Sequence, residues 1–386
     1  MRFFALDLLD DRFPALHGLR VLAILAVVQI HVTTILTRDY KLPLDETLTA
    51  TSSAIFFGMD LFFFLSGFLI GTILLRSLDS SGTQRVRRFY LRRIFRTFPA
   101  YYVVLALLAG TTTLTAAQHR HLPLEIFYLT NYAPLTRESV VMLWGWSLAL
   151  EEQFYLAVPL LLFVLARTKS DRARVLLLGA LWASALVVRL VIYASRTDWT
   201  DDALERALYF KTHTRFDTLV AGVLLALVYL RWRDPITRWL EAPFHRALVA
   251  MPSLACLGVL MAPKMFGEPH ELLVHVFAWG TLTSVMYFGW VLLLLCSDGV
   301  VRRALSAPAF RRIATLGYGI YLVHIPICDH VVAPAAKYLV TLRHASAEVV
   351  WVGAVASLFV LALVASYVLH LVIEKPALWV RDRVAG

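Results

Sequence analysis

The chain consists of long apolar runs separated by short charged loops. Ten runs approach or exceed the ~20 apolar residues that cross a bilayer as an α-helix, at about residues 17–36, 52–76, 98–117, 145–166, 174–194, 210–230, 246–262, 272–296, 311–332 and 348–373. They are too long and too continuous to be barrel strands, which alternate over about ten residues. The pattern therefore predicts an all-α, polytopic membrane protein with about ten transmembrane helices around a polar intramembrane chamber.

Composition supports this class. Of 386 residues, 59% are hydrophobic and 17% are charged. The net charge of +10 does not indicate a nucleic-acid partner, because the arginines lie in alternate loops, as the positive-inside rule describes. That rule places both termini in the cytoplasm. The three cysteines have no metal-like spacing, and no metal is expected. Without a Ser/Pro/Gly-rich linker, we expect residues 1–386 to form one membrane domain with no appended soluble domain.

Two chemical groups lie on one face of the first span. Arg20 and His31 are eleven residues apart, which on an α-helix is three turns plus ~20°, with ~16 Å between them along the axis. Arginine is suited to binding phosphate. A histidine at membrane depth is a functional candidate, although a structural hydrogen bond to a neighbouring helix is the alternative.

Depth estimated from helical rise places six ionisable residues in one layer of five spans. Unpaired charges there are costly, so we expect them to face one another around a polar chamber. Each also has a structural alternative: Arg215 pairing with Asp217, Asp60 pairing locally, and Glu152 facing Glu151. The six residues are His31, Asp60, Glu151, Arg215, Asp217 and His324.

Such a chamber can relay protons or perform general acid–base chemistry. Arg93 and Arg96, three residues apart, share a helical face at the cytoplasmic surface, and Arg20 lies at the same level. Together they fit a polyphosphate ligand; the alternative is that they only anchor topology and lipid headgroups. A ligand joining these arginines to His31 must be long, and coenzyme A, with its flexible arm, has this shape.

Several motifs, in order from residue 18 to residue 376, carry a resemblance to a known family. The sequence resembles the membrane-bound acyltransferase family 3, the O-acyltransferases of surface polysaccharides, peptidoglycan, lipid-linked sugars and some macrolides. The matching stretches are Arg20-x10-His31, Gly58 to Ile70, Arg93-x-x-Arg96, Trp146-Ser147-Leu148 with Glu151 to Tyr155, Arg215-Phe216-Asp217, Tyr321 to His324 and Ile373 to Pro376.

The resemblance implies acetyl-CoA or another acyl-CoA as donor co-substrate, with no permanently bound cofactor. It implies His31 as the catalytic residue and Arg20, Arg93 and Arg96 as donor contacts. Some members carry an extra extracytoplasmic esterase-like domain. Because we expect none here, the protein should transfer the acyl group itself or pass it to a separate extracytoplasmic partner. Met59 stands where relatives often have Val.

In the resulting hypothesis, His31 either takes the proton of an acceptor hydroxyl or transiently carries the acyl group. Glu151 or Asp60 would orient its ring. Ser66 is a possible nucleophile, but a serine in an apolar helix more often hydrogen-bonds a neighbouring backbone. Other positions for substrate contact or structural packing are Trp146, Glu152, Tyr155, Arg215, Asp217, Tyr321 and His324.

The acceptor remains open between a cell-envelope saccharide, a lipid-linked sugar and a small molecule such as a macrolide. A rival from another class is a proton-coupled exporter of a glycolipid or small molecule, with the same buried layer relaying protons. Either protein would lie among lipids of the bacterial cytoplasmic membrane. The acyl chain length, the side of the membrane on which transfer ends and the oligomeric state do not follow from the sequence.

Overall fold

The fold is helical throughout the part of the chain that the structure describes. This computed structural model describes residues 6–53, 55–76, 83–266 and 272–384, and no strand occurs among them. Nine helical stretches of these residues are long and apolar enough to cross a membrane. The predicted all-α, polytopic class is thereby confirmed.

The predicted span at 210–230 takes a different form. Thr212–Arg215 is a separate helical turn (α9), and the long helix Asp217–Trp239 (α10) begins after it. Its uncharged stretch, from Thr218 to Leu230, is shorter than the ~20 residues that cross a bilayer. This stretch is mostly buried by other helices, as expected of a helix that is apolar on all sides.

The described residues divide into two compact units, each made of separate stretches of chain. The first unit comprises residues up to Gly58, Thr83–Leu108 and residues from Arg303 onward. Its helices are α1 (Pro14–Thr34), α2 (Glu46–Ser53), most of α4 (Thr83–Thr111), part of α13 (Val300–Leu305), α14 (Pro308–Ile327), α15 (Ala333–Arg343), α16 (Ala347–Leu369) and α17 (Lys375–Val384). Three π-helical segments continue α1, α14 and α16: Ile35–Asp39, Cys328–Val332 and His370–Glu374.

Helices α1 and α14 pack closely and run parallel in the first unit. A Cβ on Gly317 would lie 2.8 Å from the Ile24 side chain, so glycine lets the helices approach. Seven residues farther along both helices, His31 meets His324. Because both pairs have the same offset in sequence, the two helices advance in the same direction. This register determines which side chain of α14 faces His31.

The second unit contains the described residues between Met59 and Gly82 and between Ala109 and Arg302. Its elements are α3 (Gly58–Leu75, from Met59 on), α5 (Ala116–Ile126), a 3₁₀ turn at Thr130–Tyr132, α6 (Gly145–Arg167), α7 (Asp171–Ala194), α8 (Asp201–Leu208), α9, α10, α11 (Pro243–Phe266), a π-helical segment at Leu272–Leu282 and α12 (Thr283–Cys296).

Helices α3 and α10 are in backbone contact in the second unit. A Cβ on Gly222 would lie 2.6 Å from the backbone nitrogen of Phe68, and a Cβ on Gly67 would clash with the backbone of Leu219. Only glycine permits this approach, as in other close crossings of membrane helices. The crossing brings the start of α3, with Asp60, to the start of α10.

Candidate functional site

A pair of histidines lies in the first unit, where α1 packs on α14. Nδ1 of His31 is 2.9 Å from Nε2 of His324. Nδ1 of His324 is 2.7 Å from the backbone oxygen of Tyr321. His324 is fully buried, and His31 is partly buried. The two imidazoles and the carbonyl therefore form one continuous hydrogen-bonded chain.

The chain of hydrogen bonds determines where the protons lie. A carbonyl oxygen only accepts, so Nδ1 of His324 carries a hydrogen and donates it to Tyr321. In neutral His324, Nε2 is then the acceptor, and His31 must donate from Nδ1. Nε2 of neutral His31 consequently carries a lone pair. That nitrogen can take a proton or attack a carbonyl carbon, the two chemistries predicted for this residue.

The predicted donor-binding arginines all belong to the first unit. Arg96 donates from Nη2 to the backbone oxygen of Thr315 on α14 at 3.1 Å. Arg93 lies one turn earlier on α4, its guanidinium 6.0 Å from the centre of the Phe89 ring. Arg20 lies near the start of α1 and is half-buried. Thr315 and His324 are nine residues apart on α14, so Arg96 contacts this helix ~13.5 Å from the histidine pair.

A second buried cluster adjoins Arg96. His370 is fully buried, and its Nδ1 lies 2.8 Å from Oε2 of Glu374. The same carboxylate oxygen is 3.9 Å from Nη1 of Arg96. Glu374 falls in one of the sequence stretches that carry the family resemblance, with no role predicted for it, and His370 is not among the predicted site residues. The signal was present, because an acidic residue and a histidine four apart share a helical face.

Two ion pairs are fully buried in the second unit. Arg215 Nη2 lies 2.8 Å from Oδ1 of Asp60, which also accepts from Thr218 Oγ1 at 3.2 Å. Asp217 is 2.8 Å from Nη2 of Arg189. The alternative that Arg215 pairs with Asp217 is therefore wrong, because residues two apart on the chain face different sides.

Arg189 is not among the site residues predicted from the sequence, yet it makes several buried hydrogen bonds. It donates from Nε to the backbone oxygen of Val276 at 2.7 Å, from Nη1 to that of Thr214 at 2.5 Å, and from Nη2 to Thr281 Oγ1 at 2.6 Å. An arginine within a long apolar helix is itself a signal of a buried partner. Its contacts link α7 to α9 and to the π-helical segment Leu272–Leu282.

A carboxylate in the second unit binds two hydroxyl groups. Ser66 Oγ and the Tyr155 hydroxyl both donate to Oε1 of Glu151, and the two hydroxyl oxygens lie 3.4 Å apart. The Ser66 hydroxyl thus hydrogen-bonds a carboxylate rather than a backbone carbonyl. An unprotonated carboxylate is acceptor-only, so this arrangement can orient hydroxyl groups.

Aromatic rings surround Trp146 in the same unit. Its ring centre is 5.1 Å from that of Tyr209 and 5.0 Å from that of Phe210. The Arg215 guanidinium lies 4.6 Å from the centre of the Tyr209 ring, within cation–π range. Trp146 is thus a packed aromatic residue near a buried cation, and Glu152, on α6, is half-buried.

Another buried carboxylate lies outside the candidate membrane spans. Both oxygens of Glu125 accept backbone N–H groups, from Val141 and Met142, each at 2.8 Å. Burial raises the pKa of Glu125, and the two hydrogen bonds only partly offset that rise. This residue holds the loop before α6 against α5.

The predicted chamber would combine residues of both units, and that arrangement stays a prediction. So does the predicted role of Glu151 or Asp60 in orienting His31. Within the first unit, His324 is a hydrogen-bond partner of the His31 ring. Among the described residues, no group of three or more His, Cys, Asp or Glu side chains could hold a metal ion.

Comparison with known proteins gives one family and several relatives. The family described as "Acyltransferase domain" matches residues 13–371. Over 336 residues, or 82% of this chain and 51% of the relative, the chain is 25% identical to "Putative O-acetyltransferase" of Staphylococcus aureus (strain COL). It is 25% identical over 342 residues to "Peptidoglycan O-acetyltransferase OatA" of Listeria monocytogenes, covering 81% of this chain and 49% of the relative.

A further relative is "Putative peptidoglycan O-acetyltransferase YrhL" of Bacillus subtilis. It is 29% identical over 331 residues, covering 81% of this chain and 48% of the relative. The chain thus spans about half the length of the curated relatives it matches. No solved structure matches it.

Proposed function

The chain belongs to the acyltransferase domain family, and on that premise we propose that it is an integral-membrane O-acyltransferase. It moves an acyl group, in the simplest case acetyl, from acyl-CoA to a hydroxyl of a cell-envelope saccharide or lipid-linked sugar. The names of two relatives, "Peptidoglycan O-acetyltransferase OatA" and "Putative peptidoglycan O-acetyltransferase YrhL", support a saccharide acceptor. The apolar helices and arginine-rich loops support the bacterial cytoplasmic membrane, with both termini inside.

The observation that carries this proposal is the hydrogen-bonded chain from His31 through His324 to Tyr321. It leaves a lone pair on Nε2 of His31, as general-base catalysis of hydroxyl attack requires. Each hydrogen has one position in this series of hydrogen bonds. The tautomer of His31 with its hydrogen on Nδ1 is therefore in place before the substrate binds. His324 is thus a positioning residue. It orients His31 and fixes its tautomer, as the third residue of a catalytic triad does for the catalytic histidine.

The arginines supply the second argument. Arg20 is ~16 Å from His31 along α1, and Arg96 contacts α14 ~13.5 Å from His324. Arg93 lies on the same face of α4 as Arg96. A donor whose phosphates bind these three arginines must extend its reactive group through that distance. The pantetheine arm of coenzyme A is a flexible chain with a thioester at its far end.

In the reaction, Nε2 of His31 takes the proton of the acceptor hydroxyl while the oxygen attacks the thioester carbonyl. The tetrahedral intermediate collapses, and the carbon–sulfur bond breaks. The imidazolium of His31 then returns its proton to the leaving thiolate, which departs as free CoA. Throughout, Nδ1 of His31 keeps donating to His324, so the ring does not turn between the two proton transfers.

The test uses the full chain in lipid nanodiscs with labelled acetyl-CoA and a peptidoglycan-derived saccharide. We expect His31→Ala to lower acetyl transfer by about 10²- to 10⁴-fold, the usual contribution of a general base. His330→Ala is the matched control, since His330 lies in the same unit, is exposed and has no part in the proposed site. It should keep the wild-type rate.

Acetyl transfer by His31→Ala at the wild-type rate would refute the proposal. Transport of a glycolipid without any acyl-CoA would instead favour the exporter. If acetylated His31 were trapped after a rapid quench, the lone pair on Nε2 would be acting as a nucleophile rather than as a base.

A further inference from the structure

An acidic segment, residues 6–13, lies against α14 in the first unit. The backbone oxygen of Leu9 accepts from Nε of Arg311 at 2.8 Å, and Oδ2 of Asp11 lies 3.4 Å from Nη1 of the same arginine. The backbone N–H of Leu9 donates to Oγ1 of Thr315 at 3.3 Å. The guanidinium of Arg311 thus interacts with two oxygens of the segment, the backbone oxygen of Leu9 and a carboxylate oxygen of Asp11.

Arg311 shares neighbours with two of the proposed donor contacts, Arg96 and Arg20. One neighbour is Thr315, whose side chain binds Leu9 and whose backbone oxygen accepts from Arg96. His17 lies three residues before Arg20 on α1, and it contacts the same aspartate as Arg311 does. Nε2 of His17 is 3.4 Å from Oδ1 of Asp11. The acidic segment therefore contacts residues that adjoin two of the proposed donor contacts: Thr315, which binds Arg96, and His17, which precedes Arg20 on α1.

The segment continues along the same surface toward α16. The backbone N–H of Asp7 donates to Nε2 of His370 at 3.4 Å, and the other ring nitrogen of His370 bonds Glu374. Asp7 and Leu9 are thus both anchored through their amides. These anchors hold the segment in register, so that Asp11 reaches Arg311.

Arg311 donates to two oxygens of the segment through two different N–H groups, from Nε to Leu9 and from Nη1 to Asp11. The N–H groups of a guanidinium are also the donors that bind phosphate oxygens. The Arg311 and Asp11 side chains are 30% and 51% exposed, and ion pairs this exposed are weak. A phosphate, which carries more negative charge than one carboxylate, can displace these oxygens from the guanidinium.

We propose that Arg311 is a further contact for the donor's phosphate, and that Leu9 and Asp11 occupy its position until the donor binds. This inference rests on the proposed acyl-CoA donor. It makes residues 6–13 a competitor of the donor, so removing the charge of Asp11 strengthens donor binding while removing that of Arg311 weakens it. A purely structural salt bridge predicts no gain in affinity from either change.

The experiment measures binding of free CoA to the full chain in nanodiscs by isothermal titration calorimetry. We expect Asp11→Asn to tighten binding about two- to fivefold, the size of a partly exposed ion pair, and Arg311→Gln to weaken it. Asp10→Asn is the matched control, because the Asp10 carboxylate contacts Arg12 of the same segment. That variant should bind CoA as the wild type does.

Amide hydrogen exchange of the wild type provides a readout that needs no variant. Because the amides of Asp7 and Leu9 are hydrogen-bonded in the docked segment, saturating CoA should speed their exchange. If CoA binds the wild type and Asp11→Asn equally tightly and this exchange stays unchanged, the Arg311 proposal alone is overturned. If CoA binds none of these proteins, the proposed donor fails as well.

Discussion

Removal of the His324 imidazole tests whether the tautomer of His31 depends on its ring partner. The His324→Ala variant takes away the acceptor for Nδ1–H of His31, which lies 2.9 Å from His324 Nε2 in the native protein. Leaving a buried donor unpaired costs about 1–3 kcal/mol. The tautomer of His31 that carries its hydrogen on Nδ1 then becomes less stable by this amount. The expected decrease in kcat is about 5- to 150-fold, since each ~1.36 kcal/mol is a factor of ten.

The KM for acyl-CoA should stay near its wild-type value in His324→Ala. The substitution is far from the proposed donor contacts, because Arg96 contacts α14 nine residues from His324, which is ~13.5 Å along the helix. His324→Gln provides the matched rescue. The side-chain oxygen of glutamine can stand close to the position of Nε2 and accept from His31, so we expect this variant to be faster than His324→Ala.

The assay is steady-state acetyl transfer by purified protein in nanodiscs, with thermal unfolding of each variant as a check on folding. Wild-type kcat in a folded His324→Ala would refute the reasoning about the tautomer. A His324→Gln variant that is folded but as slow as His324→Ala would also count against it, because the rescue depends on restoring only the acceptor.

The remaining predictions concern stability, measured as thermal unfolding in detergent. Arg189→Met should destabilise the protein by about 3–5 kcal/mol, because it leaves the buried carboxylate of Asp217 without its ion pair; an unchanged melting temperature would show that the pair contributes nothing. Gly222→Ala should cost about 1–3 kcal/mol by overpacking the α3 crossing. Gly179→Ala, with open space around its Cβ, should be neutral or stabilising, and equal losses in the two glycine variants would exclude the crossing as the cause. The raised pKa of Glu125 means that the folded state holds its proton more tightly than the unfolded state does. Stability should therefore fall as the pH rises from the ordinary value of 4.5 through the raised pKa, and Glu125→Gln should lack this dependence.

Several features of the first unit's candidate site could be predicted, because they depend only on the spacing of residues within one helix. The spacing of Arg20 and His31 fixes their common face and their separation, since an α-helix in a membrane has little freedom in either. The same holds for Arg93 and Arg96, which are three residues apart. His324 was singled out as an ionisable residue at membrane depth, but its contact with His31 was not predicted.

The pairing of charges in the second unit could not be predicted from spacing. Arg215 and Asp217 are near neighbours in sequence, yet each has a distant partner, Asp60 or Arg189. The need for a partner follows from the cost of an unpaired buried charge. The choice of partner depends on which helices cross, and the backbone contact of Gly67 and Gly222 with the opposite helix decides that.

The amino-acid sequence alone thus determined the helical class, the apolar spans and the helix faces on which the candidate site residues lie, because these depend on hydrophobicity and on the geometry of a single helix. The tertiary structure decided which groups meet. His31 and His324 are 293 residues apart in sequence, and Leu9 and Asp11 contact Arg311 across a similar separation. Such contacts depend on the register of packed helices, which no local pattern specifies.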